Sequence, residues 1–221
     1  MTSAIYRLIW QSTLQTLNMV FFSTLFSVVL GLPLGILLCI TAPGRNGGIK
    51  PKPVLNVILS KIVNVLRSFP FIILIIVLFP LSRLIIGTAI GTKATIVPLS
   101  IAAAPFVARL VETSLKEVDP GVIQAARVMG STNSQIVFRV LLPEALPSLI
   151  SGLTLTIINL IGYSAMAGAV GGGGLGDLAI RYGYQRFRPD VMAIAVIVIL
   201  LLVELIQFIG NKISSRMMAK R

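Results

Sequence analysis

Long apolar runs separated by short polar connections dominate the chain. A membrane-spanning helix needs about 20 apolar residues, and five runs reach that length. They cover roughly residues 17–41, 56–86, 94–113, 146–170 and 190–211. The pattern predicts an all-α polytopic membrane protein with five transmembrane helices, organised as a single transmembrane domain over residues 1–221.

Residues 5–15, ahead of the first run, carry apolar side chains at near-helical spacing, with Trp10 among them. Such a segment is typical of a helix that lies in the membrane interface, with Trp at the level of the lipid headgroups. The alternative is an early start of the first span.

A polar interruption at residues 116–145 separates the third run from the fourth and predicts a place where the protein meets something soluble. Asp119 and Pro120 predict a helix start, because Asp can accept from the free amides of the first turn and Pro has no amide to lose there. Gly130 predicts the end of that helix. The helix is therefore expected to have about ten residues.

One face of this short helix is expected to be a small apolar ridge, kept thin by its alanines. The ridge residues are Val122, Ile123, Ala126 and Met129. A groove on a partner protein could grip such a helix. The alternative is an amphipathic loop that lies on the membrane.

A second helix is predicted to follow directly. Thr132 and Gln135 have the capping-box spacing, which marks a helix start. Apolar residues continue from Ile136 to Leu141. Pro143 is expected to end this helix, because the residue before a proline disfavours the helical conformation.

Composition supports the membrane class and limits the chemistry. The chain is 56% hydrophobic and 12% charged, with a mean hydropathy of +0.96, whereas soluble domains have about 25% charged residues. Histidine is absent and Cys39 lies in an apolar run, which disfavours disulfides, His-based triads and the usual zinc sites. We expect no catalysis, no metal site and no cofactor in this chain.

Nucleotide chemistry is not expected in this chain either. No Gly-x4-Gly-Lys-Ser/Thr loop occurs, so a partner must hydrolyse any ATP. Gly171, Gly173 and Gly176 match the dinucleotide fingerprint formally, but the strand, helix and acidic residue that this fingerprint requires are missing.

Basic residues outnumber acidic ones, 19 to 7, and are scattered through short connections, which indicates membrane topology rather than nucleic-acid binding. With the N-terminus outside, the cytoplasmic segments hold Arg45, Lys50, Lys52, Lys61, Lys116, Arg127, Arg139, Lys212, Arg216, Lys220 and Arg221. The outer segments hold the smaller set Arg7, Arg83, Lys93, Arg181, Arg186 and Arg188. The positive-inside rule therefore predicts an outer N-terminus, a cytoplasmic C-terminus and a cytoplasmic 116–145 segment.

The polar interruption resembles the EAA loop of ABC importer permeases. In that loop a Gly lies four residues after the last Ala of Glu-Ala-Ala. The sequence Ile-x-Leu-Pro begins ten residues after that Gly. Here Gln124 takes the place of Glu and Val140 that of Ile, which keeps the shape and removes one charge. The resemblance implies ATPase-coupling roles for Val122, Gln124, Ala125, Ala126, Met129, Gly130, Val140, Leu142 and Pro143.

Residues 67–74 and 162–176 are similar to the methionine import permeases. This resemblance implies a type I ABC importer permease fold with a cytoplasmic coupling helix, in a multi-pass protein of the bacterial inner membrane. It also implies a homodimer in the lipid bilayer, two copies of a cytoplasmic ATPase that binds ATP and Mg²⁺, and an extracytoplasmic methionine-binding lipoprotein. The implied substrate is methionine, with both stereoisomers as candidates.

The Gly171–Gly174 run is a candidate mouth or gate for a substrate pathway, since non-helical backbone at membrane depth survives only where it is buried or lines a water-filled cavity. A plain flexible turn is the alternative. Hydroxyl and thioether groups suited to a thioether amino acid precede the run, although Met is also common core filler. The candidate pathway residues are Ser68, Asn159, Tyr163, Ser164, Met166, Gly171, Gly172, Gly173 and Gly174.

Polar side chains within the runs need partners. Asn159 is expected to find one across a helix or dimer interface. Arg109 and Glu112 are predicted to pair on one helix face, and Glu204 to have a structural role beside a Lys or Arg.

Two small-residue motifs, Gly31-x3-Gly35 and Gly168-x3-Gly172, permit close helix approach. For the first motif, a kink at Pro33 is the alternative.

Three other functions fit the sequence. The chain could import a different small amino acid or a compatible solute, form an ATP-independent channel, or serve as a membrane scaffold. A requirement for ATP and for a co-purifying ATPase separates an importer from a channel.

Overall fold

The structure is a computed structural model that describes residues 3–43 and 48–219, so Arg45, Lys220 and Arg221 of the charge comparison lie outside the described residues. Every regular element in the described part is helical, which confirms the all-α prediction. The helices are α1 (Ser3–Thr41), α2 (Pro53–Ser68), α3 (Phe71–Val77), α4 (Phe79–Ile86), α5 (Thr92–Lys116), α6 (Pro120–Val128), α7 (Asn133–Gln135), α8 (Leu142–Gly168), α9 (Gly174–Leu178) and α10 (Pro189–Met218). Two π-helical turns, Ile136–Leu141 and Ala179–Tyr184, follow α7 and α9.

Four helical stretches are individually long and apolar enough to cross a membrane. They are Ile5–Thr41, Thr92–Lys116, Asn133–Gly168 and Pro189–Met218. A fifth is obtained if the bent pair formed by α2 and α3 is counted as one span. Residues 5–15 are the first part of α1 and do not form a helix separate from it.

The second apolar run does not form one continuous helix over residues 56–86. The chain leaves α2 after Ser68, and Pro70 adopts an extended conformation with φ −60° and ψ 125° before α3. A proline lacks an amide hydrogen and restricts the residue before it, so the break falls at Phe69 and Pro70. Pro80 lies in the first turn of α4, where a proline costs no hydrogen bond.

Pro143 does not end the helix that begins after Thr132, contrary to the sequence prediction. The helix is continuous from Asn133 to Gly168, so it also starts well before the predicted residue 146. The π-helical turn Ile136–Leu141 ends two residues before Pro143. Its wider turn uses i→i+5 hydrogen bonds, and the amide of Leu142 donates to the carbonyl of Val137. This local change in the backbone ladder accommodates a residue that has no amide to donate.

The chain divides into two compact units. The first unit contains Met1–Ser27, Phe69–Ala103 and Leu155–Phe208. Its core includes Met19, Ile75, Leu99 and Leu160, which are fully buried. A second cluster in this unit joins Leu175 and Leu178 to Val191 and Ala195.

The second unit contains Val28–Ser68, Ala104–Thr154 and Ile209–Arg221. Its main cluster includes the fully buried side chains Val107, Leu115, Ile136 and Leu141. These side chains come from α5 and from the π-helical turn. The polar interruption therefore packs against the core of the second unit.

The Gly31-x3-Gly35 motif brings α1 and α5 into close contact. A Cβ atom at Gly31 would lie 2.6 Å from the carbonyl oxygen of Ala104, and one at Gly35 would lie 2.6 Å from the Cβ of Val111. Both distances are far below van der Waals contact, so only glycine fits at either position. The helix runs through Pro33. The Gly168-x3-Gly172 motif serves a local contact instead, because Gly168 lies against the backbone of Gly176.

Candidate functional site

The elbow, residues 116–145, begins with a capped helix start. The Asp119 side chain accepts a hydrogen bond from the amide of Gly121 at 2.6 Å, and Pro120 is the first residue of α6. This is the start that the sequence predicted. The cap satisfies one of the amides that the first turn of a helix leaves without a backbone partner.

The end of α6 is fixed by Gly130, as predicted. Gly130 has φ +80°, in the left-handed region. The amide of Ser131 donates to the carbonyl of Ala126, and the amide of Gly130 donates to that of Arg127, each at 3.0 Å. Together these bonds form a Schellman motif. A Cβ atom at Gly130 would meet no heavy atom within 4 Å, so conformation alone selects glycine here.

The faces of α6 differ from the predicted ridge. Ala126 is buried and Ile123 packs against the same cluster, whereas Val122 is 41% exposed and Met129 is 85% exposed. Val122 and Met129 lie on one side of Ala126 around the helix and Ile123 lies on the other, so the core meets α6 on the side of Ala126 and Ile123. Val128, at 89% exposure, extends the outward face. The elbow therefore presents apolar side chains that no described residue covers.

Gln124 and Ala125 also belong to the outward face of α6, and both are exposed. The remaining residues of the EAA-like pattern lie beyond the turn. Val140 and Leu142 are half-buried and pack against the core beneath α6, while Pro143 is exposed. The EAA-like pattern therefore includes exposed residues of α6 and residues that pack beneath this helix.

A capping box begins the helix on the far side of the elbow. The amide of Thr132 donates to the side chain of Gln135 at 2.8 Å, and the amide of Gln135 donates back to the Thr132 hydroxyl at 3.3 Å. Ile136, Val137 and Leu141 then enter the core. Both sides of the Gly130 turn are thus held by local hydrogen bonds.

An open cavity of about 480 Å³ lies beside the start of α6. Three acidic residues line it, Glu117, Asp119 and Glu144, and its lining contains neither Lys nor Arg. The whole chain has only seven acidic residues and a net charge of +12, so this cavity is a local acidic site on a basic protein. Sequence reasoning missed it, although three acidic residues within 28 positions of such a chain were a usable signal.

Serine hydroxyls brace the cavity walls. Ser148 donates to the Glu117 carboxylate at 2.7 Å, and its hydroxyl lies 3.0 Å from that of Ser114. Ser151 donates to Ser214 at 2.7 Å, and Ser214 donates to the carbonyl of Pro147 at 3.0 Å. These bonds join parts of α5, α8 and α10 around the cavity.

A buried carboxylate anchors the end of α5 that leads into the elbow. Glu112 is 3% exposed and accepts from Arg109 and from Lys116, each at 2.6 Å. Arg109 also donates to Asn64 at 2.7 Å, which links α5 to α2. The predicted pair of Arg109 and Glu112 is confirmed, and its charges are compensated within the second unit.

The Gly171–Gly174 run is a hydrogen-bonded turn in the first unit. The amide of Gly174 donates to the Gln15 side chain, and the amide of Leu175 donates to the Thr16 hydroxyl, both at 2.9 Å. Gly171 accepts from the amide of Gly91 at 3.0 Å. Gly171, Gly173 and Gly174 all have positive φ. Side chains of α1 therefore accept from the first two backbone amides of α9, which a flexible turn would leave without partners.

Tyr163 and Ser164, two of the candidate pathway residues, are engaged in packing and local bonding. The Tyr163 ring stacks on Phe71 with centroids 4.5 Å apart. Ser164 is buried, and its hydroxyl donates to the carbonyl of Ile161 at 2.7 Å.

The other candidate side chains are exposed. Asn159 and Met166 lie on an open face of α8. Ser68 belongs to the second unit and donates to the carbonyl of Asn64 at 2.9 Å. Glu204 is exposed on α10 and forms no ion pair with any described residue, so the expected Lys or Arg partner is absent from that part of the chain.

Comparison with known families gives one match that covers most of the chain. The family described as "binding-protein-dependent transport system inner membrane component" matches residues 31–219. The matched range contains the whole elbow and the Gly171–Gly174 turn.

Curated proteins and a solved structure resemble the chain over nearly its full length. The "Probable D-methionine transport system permease protein MetI" of Pasteurella multocida is 51% identical over 216 residues, 98% of each chain. The "Methionine import system permease protein MetP" of Bacillus subtilis is 46% identical over 207 residues, 94% of this chain and 92% of the relative. A chain in an inward-facing structure of the MetNI methionine ABC transporter has a TM-score of 0.95 at 47% identity and covers 98% of this chain and 99% of its own length.

Gly174→Ala is expected to destabilise the first unit more than Gly171→Ala does. Both changes place a Cβ atom on a left-handed residue, which costs about 1 kcal/mol. At Gly174 that atom would also lie 2.6 Å from the Thr16 hydroxyl, which accepts from Leu175. At Gly171 its nearest neighbour is a methyl group of Ile90 at 3.0 Å. Thermal unfolding in detergent should give the lower Tm for Gly174→Ala, and equal Tm values would contradict the proposed anchoring.

Proposed function

The chain belongs to the family of binding-protein-dependent transport system inner membrane components, and we propose that it is the membrane-spanning permease subunit of an ATP-driven methionine importer. The observation that carries the proposal is α6. This helix is fixed at both ends by its own hydrogen bonds and presents uncovered apolar side chains. A methionine-transport relative that matches 98% of the chain supports the substrate.

This subunit supplies a pathway and its motion, and a separate ATPase supplies the chemistry. The absence of a nucleotide-binding loop from the sequence supports this division, with ATP and Mg²⁺ held by the ATPase. The assembly contains two copies of the permease in the inner membrane and two of the cytoplasmic ATPase. A methionine-binding lipoprotein delivers substrate from outside, where the N-terminus lies, and the elbow and C-terminus are cytoplasmic.

The outward face of α6 is the docking surface for the ATPase. An apolar groove on the ATPase receives Val122, Val128 and Met129. Because both ends of α6 are already fixed, little conformational entropy is lost when the ATPase binds. Gln124 brings no charge to this contact. The acidic cavity beside α6 compensates, because its negative charge attracts basic side chains of the ATPase.

Motion of the ATPase reaches the membrane through α6 and the helix that follows it. The Gly130 turn joins α6 to a helix that is continuous from Asn133 to Gly168, so a displacement of α6 is passed to a helix rather than to a loop. Closure of the ATPases on ATP opens the permease outward, and their separation after hydrolysis opens it inward. A helix that moves as a body supplies the two-state element that such coupling requires.

Methionine passes the face of α8 that carries Asn159 and Met166. Tyr163 and Ser164 shape the wall behind this face through their contacts in the first unit. The gate at the end of the helix consists of Gly171, Gly172, Gly173 and Gly174. The thioether of Met166 suits a thioether substrate because both groups are polarizable.

Uptake measured in proteoliposomes tests this function. Vesicles carrying the permease, the ATPase and the methionine-binding protein should accumulate labelled methionine only when ATP and Mg²⁺ are supplied on the ATPase side. A permease-only vesicle is the control. Uptake without ATP would identify a channel, and selective uptake of another amino acid or a compatible solute would contradict the methionine assignment.

Gly130→Ala tests the elbow, with Gly130→Asn as the matched control. Alanine in a left-handed cap should cost about 1 kcal/mol and change the direction of α6, whereas asparagine tolerates this conformation better. Methionine-stimulated ATP hydrolysis and uptake should therefore fall in Gly130→Ala and stay close to wild type in Gly130→Asn. Equal, unimpaired transport in both variants would contradict a coupling role for this turn.

A further inference from the structure

An apolar groove opens on the second unit beside the end of α1. This α1 groove has a volume of about 200 Å³, and its apolar lining comes from α1, from the segment that follows α1 and from the π-helical turn: Ile36, Ile40, Ile49, Val137 and Phe138. Phe138 is 61% exposed. Ile36 and Ile40 belong to the membrane-spanning stretch Ile5–Thr41, so lipid rather than a soluble partner contacts this part of the groove.

The α1 groove carries positive charge and no negative charge. Among the described residues that line it, Lys50 is the charged one, and neither Asp nor Glu occurs. Two positions further along, Lys52 lines a second apolar groove with Val54 and Ile58. Both lysines are exposed, and neither ammonium group forms an ion pair with a described residue. Two cations are therefore available to an anionic ligand at the end of a span.

Backbone hydrogen bonds to α1 hold the two lysines in place. The amide of Lys50 donates to the carbonyl of Ile40 at 3.1 Å, and the amide of Lys52 donates to the carbonyl of the last residue of α1 at 3.0 Å. The buried side chain of Asn56 donates to the carbonyl of Leu38 at 2.8 Å, which ties the start of α2 to the same helix end. The lysines therefore stand on a fixed backbone, from which their apolar stems can cover the groove while their ammonium groups stay in the interface.

We propose that the α1 groove binds an anionic phospholipid. One acyl chain packs along Ile36, Ile40 and Phe138, and the headgroup phosphate lies between the ammonium groups of Lys50 and Lys52. Attraction between a lysine and an anionic membrane surface raises the affinity by about five-fold for each lysine. The apolar groove adds contact with the chain, so the site selects a lipid rather than a free anion.

A zwitterionic phospholipid fits the same groove less well. Its headgroup carries an amine cation that would need a carboxylate, and the other polar side chains of the described lining, Asn133 and Ser134, are neutral. The three carboxylates of the acidic cavity line a different site, and the two linings have no residue in common. The charge of the α1 groove therefore favours a headgroup whose net charge is negative.

Quenching by brominated lipid tests the site in membranes. Trp10 is the single tryptophan, so Trp10→Phe combined with Phe138→Trp places the one indole in the groove. Acyl-chain bromine quenches an indole that the chain touches. Phosphatidylglycerol brominated in its chains should bind at position 138 at least about five-fold more tightly than brominated phosphatidylcholine, each titrated into vesicles of unlabelled phosphatidylcholine. In place of Phe138→Trp, Leu201→Trp at an exposed position of α10 is the control and should show equal affinities. Equal affinities at position 138 would overturn the proposal.

Neutral substitutions test the lysines. Lys50→Gln together with Lys52→Gln, in the background that carries Phe138→Trp, should bring the two lipid affinities close to equality. Arg83→Gln together with Lys93→Gln removes the same charge from the first unit and should leave the preference unchanged. All four side chains are exposed, so neither double variant should alter the Tm. A preference that survives the first pair, or falls equally with the second, would overturn the site in favour of a general attraction of anionic lipid to a basic protein.

The lipid site goes beyond the proposed function and does not depend on it. The quenching experiment contains no ATPase, ATP or methionine. Its failure would therefore leave the importer standing, and a failure of ATP-dependent uptake would leave the lipid site standing.

Discussion

The need to hydrogen-bond every backbone amide without help from water governs this protein. A helix satisfies its own interior, but each interruption at membrane depth exposes donors and acceptors that lipid cannot satisfy. At the Gly171–Gly174 turn the missing partners come from the Gln15 and Thr16 side chains. In the elbow, a π-helical turn ahead of Pro143 lets the helix continue past a residue that has no amide to donate. Each departure from regular helix is thus tied to a specific local solution.

The need to satisfy backbone hydrogen-bonding groups also explains how α6, a helix of nine residues, can be rigid. Isolated helices of this length are unstable in water. Here Asp119 caps one end, the Schellman bonds around Gly130 close the other, and Ala126 fixes the helix to the core below. Because these contacts use the inward side only, the outward side is left for a partner. An acidic cavity lies beside it.

Sequence could predict the parts of this site that depend on neighbouring residues. The start at Asp119, the stop at Gly130 and the capping box of Thr132 and Gln135 are set within a few positions, and all three are found. The side of α6 that meets the core depends on distant residues such as Leu141, so Ala126 and Ile123 of the predicted ridge pack inward, while Val122 and Met129 stay exposed. The acidic cavity collects residues from separate elements, and Pro143 interrupts nothing because a π-helical turn precedes it. Such features depend on tertiary packing, which a local pattern does not contain.

The central claim is that the outward face of α6 binds the ATPase, and the affinity of the ATPase for a Val128→Asp permease tests it most directly. Val128 is 89% exposed, so the change should leave the Tm of the isolated permease unaltered. Phe187→Asp, at an equally exposed apolar residue on a different part of the chain, is the control. The account predicts an ATPase affinity reduced at least about ten-fold by Val128→Asp and unchanged by Phe187→Asp. Wild-type affinity in the Val128→Asp permease would contradict it.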